Sequence, residues 1–502
     1  MTEGEGADTT RWLDLWARGA RYLSQKCAGV VIFAVAGCGS LIQKNHHTDF
    51  AEPSGFKLSS TLVARGLVRS TVGATMRAPV ASTRTGTVML RDRSYALVRG
   101  GIPDGWIQRD KSSRLPAQAG GEEFEAYLDG QQLPAMTTGS VKFLVDGKIF
   151  FDELFNEIDA AESRVDIQTY IFDNDPFAVR IADVLKEKSR DVPVRVYFDA
   201  LGSEVAGVKA QNELEETSPP GPVIHRYLQQ DSNVQVRRFL NPWLVADHSK
   251  LHLIDQRIAY IGGINLGIEY LDEWHDMMAR VEGPVVSDLV DHFESRWRSA
   301  DWMHNWGLKW TRRRDRELPG KERDSSRDVP LRVLVTDPSI GKRDVLKATL
   351  IALRSASRRV WIQTPYFSSD EITSELMNAL RRGVDVRVVI PTDNDTWIME
   401  AVNMASLEGF AKAGGKVYTY PGMTHLKATV IDDWATFGSS NYDTLSLLIN
   451  RELNLASSHS TVVAGLIEKI FLPDFRKSRL LKPEKLSRLS LGPAVELIGD
   501  QL

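Results

Sequence analysis

The stretch His248-Ser-Lys-Leu-His-Leu-Ile-Asp255 returns 177 residues later as His425-Leu-Lys-Ala-Thr-Val-Ile-Asp432. In an extended strand, residues two apart share a face, so each octet sets an imidazole beside an ammonium: His248 with Lys250, and His425 with Lys427. The pairing joins a group that can attack, or give up a proton, with a clamp for an anion. Asp255 and Asp432 close the octets at the strand end, where an aspartate suits a turn. Just beyond come Gly262-Gly-Ile-Asn265 and Gly438-Ser-Ser-Asn441. Their glycines let a backbone approach closely, and their Asn amides can donate to a phosphate oxygen. Each of these parts fits an anionic tetrahedral centre.

A histidine that acts as a nucleophile needs its far nitrogen held by an acceptor. Asp276 lies 28 residues after His248, and Glu452 lies 27 after His425. The same one-residue difference separates His248 from Asn265 (17) and His425 from Asn441 (16), so one deletion accounts for both. Two sets result, each expected to assemble within its own copy: His248, Lys250, Asn265 and Asp276, then His425, Lys427, Asn441 and Glu452. The hairpin after Asp432 is shorter than the one after Asp255, which leaves its geometry an open point.

Upstream of the octets, Val165-Asp-Ile-Gln-Thr-Tyr-Ile-Phe172 matches Val360-Trp-Ile-Gln-Thr-Pro-Tyr-Phe367, and Val194-Arg-Val-Tyr-Phe198 matches Val386-Arg-Val-Val-Ile390. Helical stretches precede each, so strand, helix, strand recurs in register, the order of an α/β fold. The chain is a tandem duplication of 141–305 and 331–475. The second copy is about 15 residues shorter, a loss assigned to the polar loop from Glu213 to Pro222. The expected organisation is a leader or anchor over 1–38, an N-terminal region of no assigned role over 39–140, a first repeat domain over 141–310, a charged linker over 311–330, a second repeat domain over 331–480 and a tail over 481–502. Within the N-terminal region, alternation from Gly86 onward predicts a hairpin.

At 502 residues with a formal charge of −4, the chain is not one whose main role is to coat nucleic acid. No continuous apolar run reaches about 18 residues, which excludes a polytopic membrane protein. Cys27 and Cys38 are the only cysteines, and both lie in one short apolar segment behind Arg11, Arg18, Arg21 and Lys26, the order of an export signal. That segment closes with Val35-Ala36-Gly37-Cys38-Gly39, which resembles the lipobox of bacterial lipoproteins; lipidation at Cys38 and attachment to the cell envelope, on the periplasmic side, are what the resemblance implies. The alternative is an uncleaved anchor or a buried helix. Basic residues crowd 476–488, able either to meet anionic lipid or to form a solvated end. His252 has Thr429 as its counterpart and reads as packing or as a support behind the catalytic residues; His275, His292 and His304 have no histidine partner in the other copy and read as ordinary. Acidic residues do not recur in a metal-ligand pattern, and the lysines can neutralise a phosphate, so no metal or other cofactor is expected.

The doubled H-x-K-x4-D with G-G/S-x-N resembles the phospholipase D superfamily, over about 330 residues, and Thr364-Pro-Tyr-Phe367 is most similar to bacterial cardiolipin synthases. The resemblance implies two mixed sheets flanked by helices, packed about a pseudo-twofold with both His-Lys pairs in one cleft. It lists Asp255 and Asp432 with the catalytic residues. It also implies a phosphohistidine intermediate, with His248 as nucleophile and His425 as acid, roles the sequence by itself leaves interchangeable. The lysines and Asn265 and Asn441 would steady the phosphate, and Asp276 and Glu452 would orient the imidazoles. The implied partners are anionic phospholipids at a membrane surface and an alcohol acceptor or water, with no nucleic acid. Both motifs lie in one chain, which suits a monomer.

Overall fold

The computed structural model describes residues 83, 86–87, 114–204, 206, 222–241, 245–301, 325–395 and 397–482. Cys27, Cys38, the loop from Glu213 to Pro222 apart from Pro222 itself, and most of the linker lie outside these residues. Of the stretch expected to form a hairpin from Gly86, only Gly86 and Thr87 are described; both are helical, with the Thr87 hydroxyl donating to the Thr83 carbonyl at 2.8 Å. In a helix a threonine hydroxyl can bond the carbonyl of the preceding turn, as here.

Among the described residues each repeat builds seven main strands. The first holds β1 (Thr137–Val145), β2 (Val165–Thr169), β3 (Val194–Asp199), β4 (Gln235–Phe239), β5 (Leu251–Ile254), β6 (Ile258–Gly262) and β7 (Met277–Glu282). The second holds β8 (Val329–Asp337), the short β9 (Lys342–Arg343), β10 (Arg359–Gln363), β11 (Asp385–Pro391), β12 (Lys416–Tyr420), β13 (Ala428–Ile431), β14 (Trp434–Gly438) and β15 (Glu452–Ser457), and β16 (Arg479–Leu480) pairs with β12. The spatial order is β1-β7-β6-β5-β2-β3-β4 in one repeat and β8-β15-β14-β13-β10-β11-β12 in the other, the same path twice. Parallel pairing along β2-β3-β4 and β10-β11-β12 needs helical crossovers, and the intervening sequences supply them. The two paths join where β1 and β8 run antiparallel, Thr137 opposite Leu331 and Gly139 opposite Val329, so one mixed sheet passes through the pseudo-twofold.

Among the described residues the three largest cores lie on the two faces of this sheet. Strands buried on both sides read as near-continuous apolar runs, as in Val194–Asp199, where every residue is buried. Outer helices Gly147–Asp159 and Pro176–Lys188 cover one repeat, packing Phe150, Phe151 and Leu185 on Ile167 and Val196. Helices Asp344–Ser355 and Asp370–Arg381 cover the other, with Leu350 and Leu376 on Ile362 and Val388. A shared inner core buries Leu251, Leu253 and Ile261 of the first repeat with Leu426, Ala428 and Phe437 of the second, together with helix Val285–Ser299.

The shortened hairpin is intact. Between β5 and β6 three residues turn the chain, since Ile254 faces Ile258; between β13 and β14 two suffice, since Ile431 faces Trp434. This is the one-residue deletion seen in the spacings. Asp255, Gln256 and Asp432 have φ of 54°, 55° and 49°, a left-handed conformation that aspartate tolerates better than most residues.

The helix Glu122–Gly130 packs on the second repeat although it precedes the first. Phe124 meets the Trp434 ring at 6.1 Å, and buried Arg332 of β8 is held by Glu125 Oε2 at 2.7 Å and Asp129 Oδ1 at 2.8 Å. Within the basic tail, Arg476 and Lys477 end helix Leu472–Lys477, and Arg479 enters β16; Lys485 and Arg488 lie outside the described residues.

Candidate active site

His248 and His425 each precede the strand of their octet, β5 and β13, at the end of the sheet where β7 and β15 begin. Two short bridges bring the repeats together there. The His248 amide donates to the Arg451 carbonyl at 2.9 Å and the Arg451 amide to the Ala246 carbonyl at 2.8 Å; likewise the His425 amide donates to the His275 carbonyl at 2.8 Å and the His275 amide to the Met423 carbonyl at 3.0 Å. Each bridge delivers the next residue, Glu452 or Asp276, to the histidine of the opposite repeat.

The consequence corrects the grouping expected from spacing. His248 Nδ1 lies 3.0 and 3.1 Å from the carboxylate oxygens of Glu452, and His425 Nδ1 lies 2.7 Å from Asp276 Oδ2. Distance along the chain located the right carboxylates but assigned them to the wrong imidazoles, because the pseudo-twofold passes between each histidine and the carboxylate of its own copy. The G-G and G-S variants of the following motif fit this exchange. A Cβ at Gly263 would stand 2.4 Å from Asp276 Oδ1, so the shorter acid needs glycine there. At the matching place Ser439 reaches Glu452 Oε2 with its hydroxyl at 2.5 Å.

Lys250 and Lys427 are buried between the two pairs, each with Nζ donating to the carbonyl of its own histidine, at 2.7 Å for Lys250. Burial and then the like charge of Lys427 push Lys250 well below the usual ammonium range, and burial lowers Lys427 to about 8. Burial, then the two ammonium groups, lower both imidazoles well below their ordinary value. Burial also lifts the acids, Asp276 to about 7 and Glu452 to about 8. Burial thus disfavours charge throughout the two imidazole–carboxyl pairs, and a carboxyl raised this far can hold the proton that its imidazole passes to a leaving group. Two buried lysines side by side make the cleft a receptor for a phosphate.

The asparagines differ between repeats. Asn265 Oδ1 accepts from the Ile171 amide at 3.1 Å, and its Nδ2 donates to the Tyr270 hydroxyl at 2.8 Å, leaving one amide hydrogen. Asn441 is buried beside Asp443, whose carboxyl is raised to about 7 by burial.

Asp255 and Asp432 stand apart from this chemistry, which corrects their inclusion among catalytic residues. Asp255 accepts from the amides of Glu162, Ser163 and Arg164 at 2.7–3.1 Å. Asp432 does the same for Ser357, Arg358 and Arg359 at 2.8–3.0 Å, and for Ala119 at 3.3 Å. Each carboxylate ties the far end of its hairpin to the loop that enters β2 or β10. His252 is fully buried in the outer core, stacked on Phe150 at 5.8 Å, with burial lowering it to about 3, so it packs as a neutral ring as expected.

Aromatic residues that the sequence reading passed over line the cleft. Tyr170 meets the His248 ring at 4.9 Å, with Lys250 Nζ 5.2 Å from its centroid. Tyr270, Trp274 and Tyr366 lie 5.5, 5.4 and 6.5 Å from the His425 ring. Tyr170 and Tyr366 belong to the repeated Gln-Thr stretches and could have been found there. Tyr270 and Trp274 have Ser446 and Asn450 in their places, so no repeat marked them. His275, read as ordinary because the other repeat has no matching histidine, is instead tightly held. Its ring is buried between Asp146 Oδ1 at 2.6 Å and Asp474 Oδ2 at 2.9 Å. Three carboxylates, Asp173, Asp175 and Glu269, gather within 4.8 Å outside any recurring pattern, and Asp175 accepts from the Ala178 and Ile268 amides, both at 2.7 Å.

Comparison with known proteins agrees with this architecture. The family model described as cardiolipin synthase, PLD-like domain, matches residues 154–297 and 350–473, one segment in each repeat. The chain is 28% identical to cardiolipin synthase 1 of Bacillus cereus over 71% of this chain and 70% of that protein. It is 30% identical to cardiolipin synthase A of Pseudomonas putida strain W619 over 71% and 73%. In fold it is similar to the phosphatidylserine synthase of Haemophilus influenzae, with a TM-score of 0.56 at 14% identity, covering 75% of this chain and all of that one. With the matched segments spanning both repeats and both histidine–lysine pairs, the chain belongs to the family of cardiolipin synthases with phospholipase D-like domains.

Proposed function

We propose that this protein is a phosphatidyltransferase of the cardiolipin synthase type, using phosphatidylglycerol as both donor and acceptor. The observation that carries the reading is the crossed pairing, which sets two histidine–carboxylate pairs and two buried lysines from different repeats around one cleft. His248 Nε2 attacks the phosphorus of one phosphatidylglycerol, and the bond to its glycerol headgroup oxygen breaks. His425 gives that oxygen a proton, and free glycerol leaves a phosphatidyl group on His248. His425 then takes the proton from the headgroup hydroxyl of a second phosphatidylglycerol, whose oxygen attacks the same phosphorus, releasing cardiolipin and restoring His248. Lys250, Lys427 and the amides of Asn265 and Asn441 stabilise charge on the nonbridging oxygens. Asp276 and Glu452 fix the imidazoles.

Hydrolysis to phosphatidic acid is the same chemistry with water as acceptor. A nuclease using this centre is disfavoured by the net charge of −4, and a lipid-binding protein without catalysis by the completeness of both sets. Incubation with phosphatidylglycerol vesicles and mass spectrometry of the lipids decides: cardiolipin with glycerol supports transfer, phosphatidic acid with glycerol supports hydrolysis, and unchanged lipid contradicts both. Among the described residues no helix is long and apolar enough to cross a membrane. The lipobox-like segment supports attachment to the envelope through Cys38, on the periplasmic side. A fatty-acid analogue should label the wild-type protein and not Cys38→Ala; an unlabelled wild type contradicts that attachment.

A further inference from the structure

His275 and Arg451 occupy the same place in the two repeats. Each directly precedes the carboxylate that holds the opposite histidine, and each makes the same pair of backbone bonds across the pseudo-twofold. Each also sets a basic side chain between two aspartates, all of them buried except Asp146, which is half exposed. Arg451 lies 3.6 Å from Asp247 and 3.6 Å from Asp337, which ends β8. His275 lies 2.6 Å from Asp146, just past β1, and 2.9 Å from Asp474 on helix Leu472–Lys477. Its ring stacks on Tyr420 of β12 at 4.7 Å and 10°. Gln363 ties Asp474 to Thr424, the residue before His425, with both bonds 2.9 Å.

We propose that His275 is a positioning residue, a titratable cation standing where the other repeat has a permanent one, so that the His425–Asp276 half of the site loosens at alkaline pH while the His248–Glu452 half does not. Clamped by two carboxylates, the ring needs both nitrogens to donate, which only the imidazolium does. The groups facing it are Asp146, Asp474, Tyr420, the adjacent Asp276, and Lys477, whose Nζ is 3.4 Å from the Tyr420 hydroxyl. The two aspartates outweigh burial and raise His275 to about 9. A raised value in the folded state means that its stabilisation is fully present below the ordinary imidazole value near 6.5 and is lost as pH rises through about 9. Deprotonation then leaves the buried Asp474 carboxylate and the half-exposed Asp146 carboxylate facing a neutral ring beside the segment that carries Asp276.

The test compares wild type, His275→Arg and His275→Gln as full-length proteins. The activity arm rests on the proposed function; the other two do not. In an imidazole ¹⁵N titration, the resonance missing from His275→Gln should have its midpoint near pH 9 in the wild type, and a midpoint near 6.5 overturns the proposal. The thermal unfolding midpoint of the wild type should fall, relative to His275→Arg, between those pH values, and parallel curves overturn it. With phosphatidylglycerol vesicles the alkaline limb of turnover should move upward in His275→Arg, which should also retain more turnover than His275→Gln; coincident limbs overturn the proposal. Lys427 and Glu452 titrate near the same range, but they are common to all three proteins and cancel in the comparison. Absence of turnover at every pH counts against the proposed function, and the first two measurements still decide the role of His275.

Discussion

Glu452 holds His248, and Asp276 holds His425, so the unit of chemistry at the scale of single residues is not the unit of sequence. Both histidines, both lysines and both carboxylates were legible from the repeated octet and its spacings. Their pairing was not, because linear distance carries no information about which side of a twofold a strand falls on. The difference has a kinetic signature. Asp276→Asn should allow a phosphatidyl group to form on His248 and slow its release. Glu452→Gln should slow its formation, by roughly 10²-fold or more, since the oriented imidazole attacks there. Rapid-quench mass analysis of the adduct checks this, and the reverse pattern on the same histidine would restore pairing within repeats. Replacing Lys250 or Lys427 by Ala should lower turnover by about 10²-fold or more at saturating lipid, as for the loss of a charge-stabilising donor.

The element scale explains why the octets end in aspartate. Asp255 and Asp432 each gather several backbone amides at the far end of the hairpin from the lysine, so the motif's last residue secures the strand that presents its first two. The sequence placed these residues at a turn; it offered no sign of the distant loop they would hold, which becomes adjacent only when β2 pairs with β5. Asp255→Ala should destabilise the fold by roughly 1–3 kcal/mol through unsatisfied amides while leaving turnover at low temperature little changed, as denaturant unfolding and kinetics would show. These amides, with the Ser163 hydroxyl, outweigh burial and lower the Asp255 carboxyl below its ordinary value. Its stabilisation is therefore present above the unfolded value of 3.8 and is lost as pH falls through the folded one. Strand and helix order in both repeats was legible from hydrophobic runs, whereas β16 was not, since two residues of a basic tail carry no pattern.

For the molecule as a whole, the duplication predicted two domains, and the structure joins them through β1 and β8 into a single sheet with a shared inner core. The segment before the first repeat was opaque in sequence because its partner, Arg332, lies about two hundred residues away. Glu125→Ala should leave that arginine partly uncompensated and cost roughly 3 kcal/mol, measurable as a lower unfolding midpoint. Neither repeat expressed alone should turn over lipid, since each holds its histidine without the carboxylate that orients it. The central claim, one active site composed from two copies, is tested most directly by the turnover of His248→Ala, His425→Ala and the double variant on phosphatidylglycerol vesicles. Both single variants should fall by about 10³-fold or more and the double variant scarcely further, because residues acting as one unit are not additive. Near-normal turnover by either single variant would contradict the account.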